Sequence, residues 1–268
     1  AYAQLARCHA MMYWQHYDRT SARAQEARLN VSRALSLHPD LPEAHLAFGY
    51  YYYNCVSDWK LALHEFEVAR QSLPNDSDLL SSIGFVQRRQ GSFPEALANI
   101  RMACELDPLS NNLTISLGET LMYMRQYAEA MACFDRAISL TPDVTRPYGY
   151  KASLYVMWQG RTDDARATVA KALEPLGIPE NSAIYRLLID LDVYEGDYEE
   201  ALRRIVLRNE DVDDQDHFIP VDMQRAHVYA YMQDDAAEEC YRRARTVIEA
   251  RIQQAPEDGR LHSALGIA

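Results

Sequence analysis

A proline returns along the first half of the chain at nearly constant intervals. Pro39, Pro74, Pro108 and Pro142 are separated by 35, 34 and 34 residues, and each ends a similar phrase that opens with alanine. Because the residue before a proline is pushed out of the helical region, each proline marks the end of a helix. A period of this length indicates stacked units that share a continuous core.

Further columns keep the same interval. One alanine series is Ala27, Ala62, Ala96, Ala130 and Ala165, and a second is Ala34, Ala69, Ala103 and Ala137. Between them stands one bulky residue, namely Val31, Phe66, Ile100, Phe134 or Val169. A third small-residue column holds Gly49, Gly84 and Gly118. Helical spacing puts both alanines and the bulky residue on one face, so we expect close helix approach, with the bulky residue filling the gap to the next helix.

The turn, stop and capping residues between these columns predict pairs of helices and leave no room for a sheet. The predicted pairs are 1–37, 42–72, 77–106, 111–140, 146–174, 181–208 and 221–254. Gly91 and Gly160 mark turns between paired helices. Ser92 with Glu95 has the form of a capping box, and Asp58 and Thr162 offer side-chain oxygens at other helix starts.

These columns resemble the tetratricopeptide repeat family, most closely at Gly84, Ala96, Ala103 and Pro108 and at Gly118, Ala130, Ala137 and Pro142. The resemblance implies an all-α solenoid of antiparallel helix pairs wound as a right-handed superhelix. It covers nearly all of residues 1–268 as a single domain of about seven pairs plus the start of another. The array is regular over 27–174 and irregular over 175–268, where Gly177-Ile178-Pro179 replaces a clean stop and 209–220 reads as an inserted loop.

A narrower resemblance rests on Asp58-Trp59, on residues 105–110 and on residues 2–6. These segments are similar to the C-terminal repeat region of bacterial multidomain signalling proteins, in which repeats follow an adenylate cyclase, winged-helix or kinase domain. No residue of such effector domains is present, so no activity is carried over. The chain opens without Met and ends, at 261–268, in the start of a helix, so we expect a piece of a longer protein.

Composition narrows the classes of partner. The 268 residues carry a formal net charge of -12, which argues against direct binding of nucleic acid or an anionic membrane. No apolar run approaches the ~20 residues of a membrane-spanning helix. The five cysteines include no C-x-x-C pair, which predicts reduced thiols in a cytoplasmic protein.

Negative charge is concentrated in residues 190–216, which hold eleven Asp or Glu and three Arg. This region is either a solvated surface or a surface for a basic partner. Residues 211–216 lack the Gly and Glu that a calcium-binding hand requires. The His64-Glu65 pair lacks the second His of a zinc protease helix, and no phosphate-binding loop or nucleophile elbow occurs. The sequence therefore predicts no enzyme, metal site or cofactor.

Helical phase predicts a concave groove that is aromatic and rich in sulfur. Its proposed partner-binding residues are Leu46, Tyr50, Tyr53, Asn54, Ser81, Phe85, Arg88, Arg89, Ile115, Glu119, Met122, Tyr123, Met157 and Trp158. Aromatic residues and Arg dominate binding hot spots, so this surface suits an apolar or extended peptide. For Tyr50 and Tyr53 an equal alternative is packing between helices. For Trp158 the alternative is that its ring covers a neighbouring helical turn. Tyr51 and Tyr52 are expected to pack between helices.

A clamp for the terminal carboxylate of chaperone tails needs Lys and Asn at fixed groove positions. Those positions hold Leu46 with Tyr50, Ser81 with Phe85, and Ile115 with Glu119, so this clamp is not expected. The sequence predicts a scaffold that binds a protein or peptide, as the regulatory or sensing region of a larger bacterial signalling protein. A self-association module that forms a homodimer and an unrecognised enzyme remain as alternatives.

Overall fold

The computed structural model describes residues 1–15, 17–173, 182–213 and 217–268. These residues form fifteen α-helices and one two-stranded ribbon. The first eight helices are α1 (Tyr2–Trp14), α2 (Ser21–Leu37), α3 (Pro42–Tyr51), α4 (Trp59–Arg70), α5 (Ser77–Arg89), α6 (Phe93–Leu106), α7 (Asn111–Tyr123) and α8 (Tyr127–Leu140). The others are α9 (Arg146–Leu154), α10 (Thr162–Leu173), α11 (Ser182–Glu195), α12 (Tyr198–Arg208), α13 (Val221–Met232), α14 (Ala236–Gln254) and α15 (Gly259–Leu265).

The chain forms two compact units, Ala1–Pro142 and Asp143–Ala268, here called unit 1 and unit 2. Unit 1 holds four helix pairs, α1/α2 to α7/α8, and unit 2 holds α9/α10, α11/α12, α13/α14 and the single helix α15. The predicted all-α solenoid of helix pairs is confirmed, with helix boundaries within two residues of those expected. The single-domain organisation stays a prediction, and Gly177-Ile178-Pro179 lies outside the described residues.

The small-residue column is the point of closest approach within a pair. A Cβ added at Gly118 would lie 2.6 Å from the Phe134 ring, and one added at Gly49 would lie 2.3 Å from the Phe66 ring. Both phenylalanines are fully buried. The bulky column therefore packs over the glycine of its own pair, rather than filling only the gap to the next helix.

The turn that joins the helices of a pair keeps one conformation along the chain. Its residue has a positive φ at Ser57, Gly91, Arg125, Gly160, Gly196 and Gln233. The sequence located this turn at Gly91 and Gly160, because glycine adopts left-handed φ without steric cost. Three non-glycine residues, Ser57, Arg125 and Gln233, take the same conformation. Gly196 and Gln233 lie in the irregular part of the chain, so the same turn continues there.

Two first helices end in a π-helical turn, at Tyr52–Val56 after α3 and at Tyr155–Gln159 after α9. A π turn accommodates one extra residue inside a helix. Gly49 and its packing partner Phe66 are 17 residues apart, whereas Gly118 and Phe134 are 16 apart. The extra residue therefore lies in the first helix of that pair, after the glycine, and leaves the glycine contact intact.

Helix starts follow the predicted capping chemistry at Asp58 but not at Ser92. The Asp58 carboxylate accepts a hydrogen bond from the Leu61 backbone N–H at 2.9 Å. Ser92 makes no side-chain capping bond. A capping box needs the backbone N–H of Ser92 as donor to Glu95, but this N–H already donates to Gln87 O at 2.9 Å. The predicted capping box is therefore wrong.

The prediction that no sheet would form is also wrong at one place. Strands β1 (Val212–Asp213) and β2 (Phe218–Ile219) pair antiparallel within the predicted inserted loop. Phe218 is 2% exposed and packs with Met223, Ala244 and Ile248, which anchors the ribbon to α13 and α14. An isolated pair this short is unstable without such packing.

Candidate protein-binding surface

In unit 1, Arg7 of α1 ties three successive first helices together. Its guanidinium lies 4.9 Å from the ring centroid of Tyr50 on α3, and its Nη2 is 2.6 Å from Asp78 Oδ2 on α5. The hydroxyl oxygens of Tyr50 and Ser82 are 2.7 Å apart. Burial raises the pKa of Tyr50, although nearby Arg7 opposes the shift. Tyr50 therefore makes the interhelical contacts that the packing alternative anticipated.

The π turn after α3 also faces α1. The rings of Tyr53 and Trp14 have centroids 5.3 Å apart, and Asn54 Nδ2 is 3.7 Å from Met11 Sδ. Tyr52 packs against the core cluster that contains Phe66 of α4, as its predicted packing between helices requires. Tyr53 is half-buried and Asn54 is buried, so this part of the predicted groove is occupied by contacts between first helices.

Arg88 contacts three other residues of the predicted groove and, in addition, Thr120. Its Nη1 lies 3.3 Å from Glu119 Oε2 and 3.3 Å from Thr120 Oγ1 on α7. The same guanidinium lies 5.6 Å from the ring centroids of Phe85 and of Tyr123. Cation–π contacts with the two rings and a charge-assisted hydrogen bond to the carboxylate both stabilise the Arg88 guanidinium. Among these groups, Tyr123 keeps the most open surface, at 57% exposed.

The predicted groove residues divide by exposure. The buried members are Leu46, Asn54, Ser81, Ile115 and Glu119. The half-buried members are Tyr50, Tyr53, Phe85, Arg88 and Met122. The exposed members are Arg89, Tyr123, Met157 and Trp158. Leu46 shows why phase alone misleads, because it packs in the cluster of Phe66 and Ile83 instead of facing solvent.

Four exposed aromatic residues share one position in the helix pair, two residues before the left-handed turn. They are Tyr123 of unit 1 and Trp158, Tyr194 and Tyr231 of unit 2. Their exposed fractions are 57%, 45%, 64% and 63% in that order. We call the three residues of unit 2 the aromatic column.

Sequence reasoning missed Tyr194 and Tyr231. It followed the proline interval, which ends at Pro142. The turn glycine Gly196 carried the missing signal, because Tyr194 precedes it by the same two residues that separate Trp158 from Gly160.

Unit 2 also contains a buried carboxylate held by two arginines. Asp192 of α11 is 2% exposed, its Oδ1 is 2.6 Å from Arg166 Nη2, and its Oδ2 is 2.7 Å from Arg204 Nε. Arg166 also binds Glu195, and this hydrogen bond lowers the pKa of the Glu195 carboxyl. The cluster joins α10, α11 and α12, and its carboxylates and guanidinium groups pair with one another. Its geometry is therefore that of a structural contact.

A cavity of about 530 Å³ opens between α6 and α8. Leu117 and Leu121 contribute to its lining, as do the thiols of Cys104 and Cys133. Burial raises the pKa of Cys104 to about 11, so its thiol stays protonated near neutral pH. The arrangement lacks an activated nucleophile.

None of the helices in the described part of the chain combines the length and the apolar character needed to cross a bilayer. Over the same residues, no group of three or more His, Cys, Asp or Glu is placed to hold a metal ion. Asp214 and Asp216, which the calcium interpretation used, lie outside the described residues.

Comparison with known proteins finds the same architecture in several solved structures. Residues 115–144 match the tetratricopeptide repeat family model. A tetratricopeptide repeat protein from Parabacteroides merdae ATCC 43184 is similar over 99% of this chain and 98% of its own, with 14% identity and a TM-score of 0.67. PilF from Pseudomonas aeruginosa is similar over 77% of this chain and 88% of its own, with 21% identity and a TM-score of 0.60.

YrrB, described as a tetratricopeptide repeat protein with an unusual peptide-binding site, is similar over 62% of this chain and 84% of its own. Its identity is 20% and its TM-score 0.51. No curated protein sequence is significantly similar to this chain. The chain therefore has the fold of tetratricopeptide-repeat proteins, and its residues 115–144 match the repeat model of that family.

Proposed function

We propose that this protein is a scaffold that binds a protein or peptide through its aromatic column. The observation that carries the proposal is the exposure of a large aromatic residue at the same position in the three consecutive helix pairs of unit 2. Single exposed apolar residues are ordinary on protein surfaces, but a repeated aromatic position is not. Tyr and Trp combine a large apolar area with a polar group and are enriched among interface hot spots.

The fold supports this role. Tetratricopeptide-repeat folds generally serve as non-catalytic scaffolds, and the similar protein YrrB is described as having a peptide-binding site. The predicted groove residues of unit 1 stay a proposed binding surface of that unit. Tyr50, Arg88 and Glu119 hold its neighbouring first helices together, so in this proposal they fix the spacing of that surface.

The biological setting that we propose is a regulatory or sensing region of a larger bacterial signalling protein, such as an adenylate cyclase or transcriptional regulator. The five free cysteines suit a reducing compartment such as the cytoplasm. Self-association of the parent protein is the second candidate, because exposed aromatic residues also suit an isologous interface. Analytical ultracentrifugation over a concentration series tests it, and a monomer at every concentration would exclude it.

The binding role is tested by selecting displayed random peptides on the full chain and measuring their dissociation constants. We expect Trp158→Ala and Tyr194→Ala each to weaken binding by about tenfold, since hot-spot truncations cost that much or more. The control is Tyr17→Ala, because Tyr17 is 80% exposed but lies outside the column. Selected peptides that bind a variant with all three column residues changed to Ala as tightly as the wild type would refute the proposal.

A further inference from the structure

The last turns of α11 and α13 bring an aspartate and two tyrosines to one edge of unit 2. Asp190 and Tyr194 are four residues apart and lie on the same side of α11. Val228 of α13 is buried in one cluster with Ile189 of α11, and Val193 packs against that cluster. Tyr194 follows Val193 directly, and Tyr231 lies three residues after Val228, so both tyrosines extend beyond this shared core.

Asp190 is exposed on one side, and it makes no ion pair with any residue that the structure describes. The surrounding helices desolvate its carboxyl in part and so raise its pKa, and Arg186, one turn earlier on α11, opposes this effect. Burial raises the pKa of Tyr194 as well, with Asp190 and then Tyr231 adding to the shift. The contribution of Asp190 to the shift in the pKa of Tyr194 indicates that the negative field of the carboxylate reaches the tyrosine.

The backbone and the ring faces add to the attraction for a cation. Tyr194 and Tyr231 lie in the last turns of α11 and α13, where the unpaired carbonyl groups give a helix end partial negative charge. Tyr194 and Tyr231 are each more than half exposed, and the face of an aromatic ring attracts a cation. Residues 143–268 carry 24 acidic and 15 basic side chains, so the longer-range field of unit 2 also attracts cations.

The neighbouring Asp192 shows what a satisfied carboxylate looks like in this unit. It is buried and contacts two arginines, Arg166 and Arg204, at hydrogen-bonding distance. Asp190, two residues earlier, is exposed and acts electrostatically on the phenol of Tyr194 instead. The difference in surroundings separates a carboxylate used for folding from one that is available to a ligand.

We propose that Asp190, Tyr194 and Tyr231 form a recognition site for an alkylammonium or guanidinium group, and that the partner places a lysine or arginine side chain there. The carboxylate supplies the opposite charge, and the two rings supply cation–π contacts to the methylene and ammonium groups. This inference deepens the proposed function and rests on it for the identity of the partner as a polypeptide. It commits to a basic side chain rather than an acidic or wholly apolar one.

The site itself is tested without a peptide, by titrating the full chain with tetramethylammonium chloride. Aromatic NMR signals of Tyr194 and Tyr231 should shift saturably, while sodium chloride at equal ionic strength and the neutral isostere 3,3-dimethylbutan-1-ol should leave them unchanged. Asp190→Asn should weaken binding by about three- to tenfold. Tyr194→Leu should weaken binding similarly, whereas Tyr194→Phe should retain it because the ring face is kept.

The control for charge is Asp163→Asn, which removes the same charge from an exposed position on α10 of unit 2. It should leave the titration unchanged. Equal shifts from the neutral isostere, or equal weakening by Asp163→Asn, would overturn the cation site.

The partner is tested with the selected peptides, by replacing each Lys with norleucine and each Arg with citrulline. One basic position should lose about tenfold on the wild type and nothing further on Asp190→Asn. Peptides that bind through the aromatic column but lose nothing on these replacements would overturn this inference and leave the proposed function standing. A cation response without any peptide binding would support the site and refute the proposed function.

Discussion

Units 1 and 2 are built from the same helix pair but use their charged and aromatic side chains differently. In unit 1, Arg7 and Arg88 connect successive first helices through Tyr50, Asp78 and Glu119. In unit 2, the arginines contact the buried Asp192, whereas the tyrosines at the first-helix ends remain open. Arginine therefore stabilises the stack in both units, whereas a first-helix tyrosine does so at Tyr50 of unit 1 and is exposed at Tyr194 and Tyr231 of unit 2.

This difference teaches that residue type does not identify a binding surface in a repeat protein. Tyr50 and Tyr194 are both tyrosines on first helices, yet Tyr50 is enclosed by Arg7 and Ser82 and Tyr194 is 64% exposed. Their position relative to the left-handed turn separates them, because only Tyr194 precedes it by two residues. The turn is the better reference point for assigning function along the array.

Loss of the Asp192 carboxylate should have the largest effect and should be confined to unit 2. Asp192→Ala removes the buried partner of two arginines and should lower the free energy of unfolding by about 2–4 kcal/mol. Hydrogen exchange followed by mass spectrometry should show lost protection in α10, α11 and α12. Glu195→Gln is the matched control, since this half-exposed partner of Arg166 should cost under about 1 kcal/mol. Equal losses from both variants would contradict the structural role of Asp192.

The glycine contact should give the next largest effect, this time in unit 1. Gly118→Ala places a Cβ against the buried Phe134 ring and should destabilise by about 1–3 kcal/mol. Gly149→Ala on α9 meets nothing within 4 Å and should instead stabilise by about 0.5–1 kcal/mol. Urea denaturation of the two variants checks the opposite signs. A neutral Gly118→Ala would show that the pair tolerates wider spacing.

The left-handed turn is common to both units, so it tests a feature that the two units share. Arg125→Gly should stabilise by about 0.5–1 kcal/mol because it relieves an unfavourable backbone conformation. Gly91→Ala should destabilise by a similar amount, about 1 kcal/mol. Thermal unfolding of both variants measures the effect, and the same sign in the two would refute a shared turn conformation.

Acid should weaken unit 2 slightly through Glu195. The hydrogen bond from Arg166 lowers the pKa of Glu195 below its ordinary value of 4.5, so ionised Glu195 stabilises the folded state above that pH. This contribution, under about 1 kcal/mol, should disappear as the pH falls through the lowered pKa. Urea denaturation at pH 6 and in acid measures it. Glu195→Gln should lose less stability across that range than the wild type, and an equal loss would contradict the assignment.

The sequence predicts the helix pairs well because Gly118, Phe134 and the two alanine columns encode direct helix contacts. It does not predict the left-handed turn at Arg125, since the surrounding helices impose a conformation that arginine disfavours. It also does not predict the ribbon at Val212, which depends on the burial of Phe218 in a distant cluster.

The candidate surface is harder to predict than the fold. An error of one residue in helical phase moves Ile115 from solvent to a fully buried position. Exposure also depends on the neighbouring helix, which no single helix encodes. Tyr123 and Trp158 could be recognised from the regular interval, whereas Tyr194 and Tyr231 become visible only when the turn residues are aligned.

Hydroxyl-radical footprinting of the full chain, with and without a saturating selected peptide, tests the central claim most directly. It reports the solvent accessibility of individual Tyr and Trp side chains. We expect lower reactivity at Trp158, Tyr194 and Tyr231 in the complex and unchanged reactivity at Tyr17. Protection of Tyr17, or of the cavity between α6 and α8, with unchanged column residues would contradict the account.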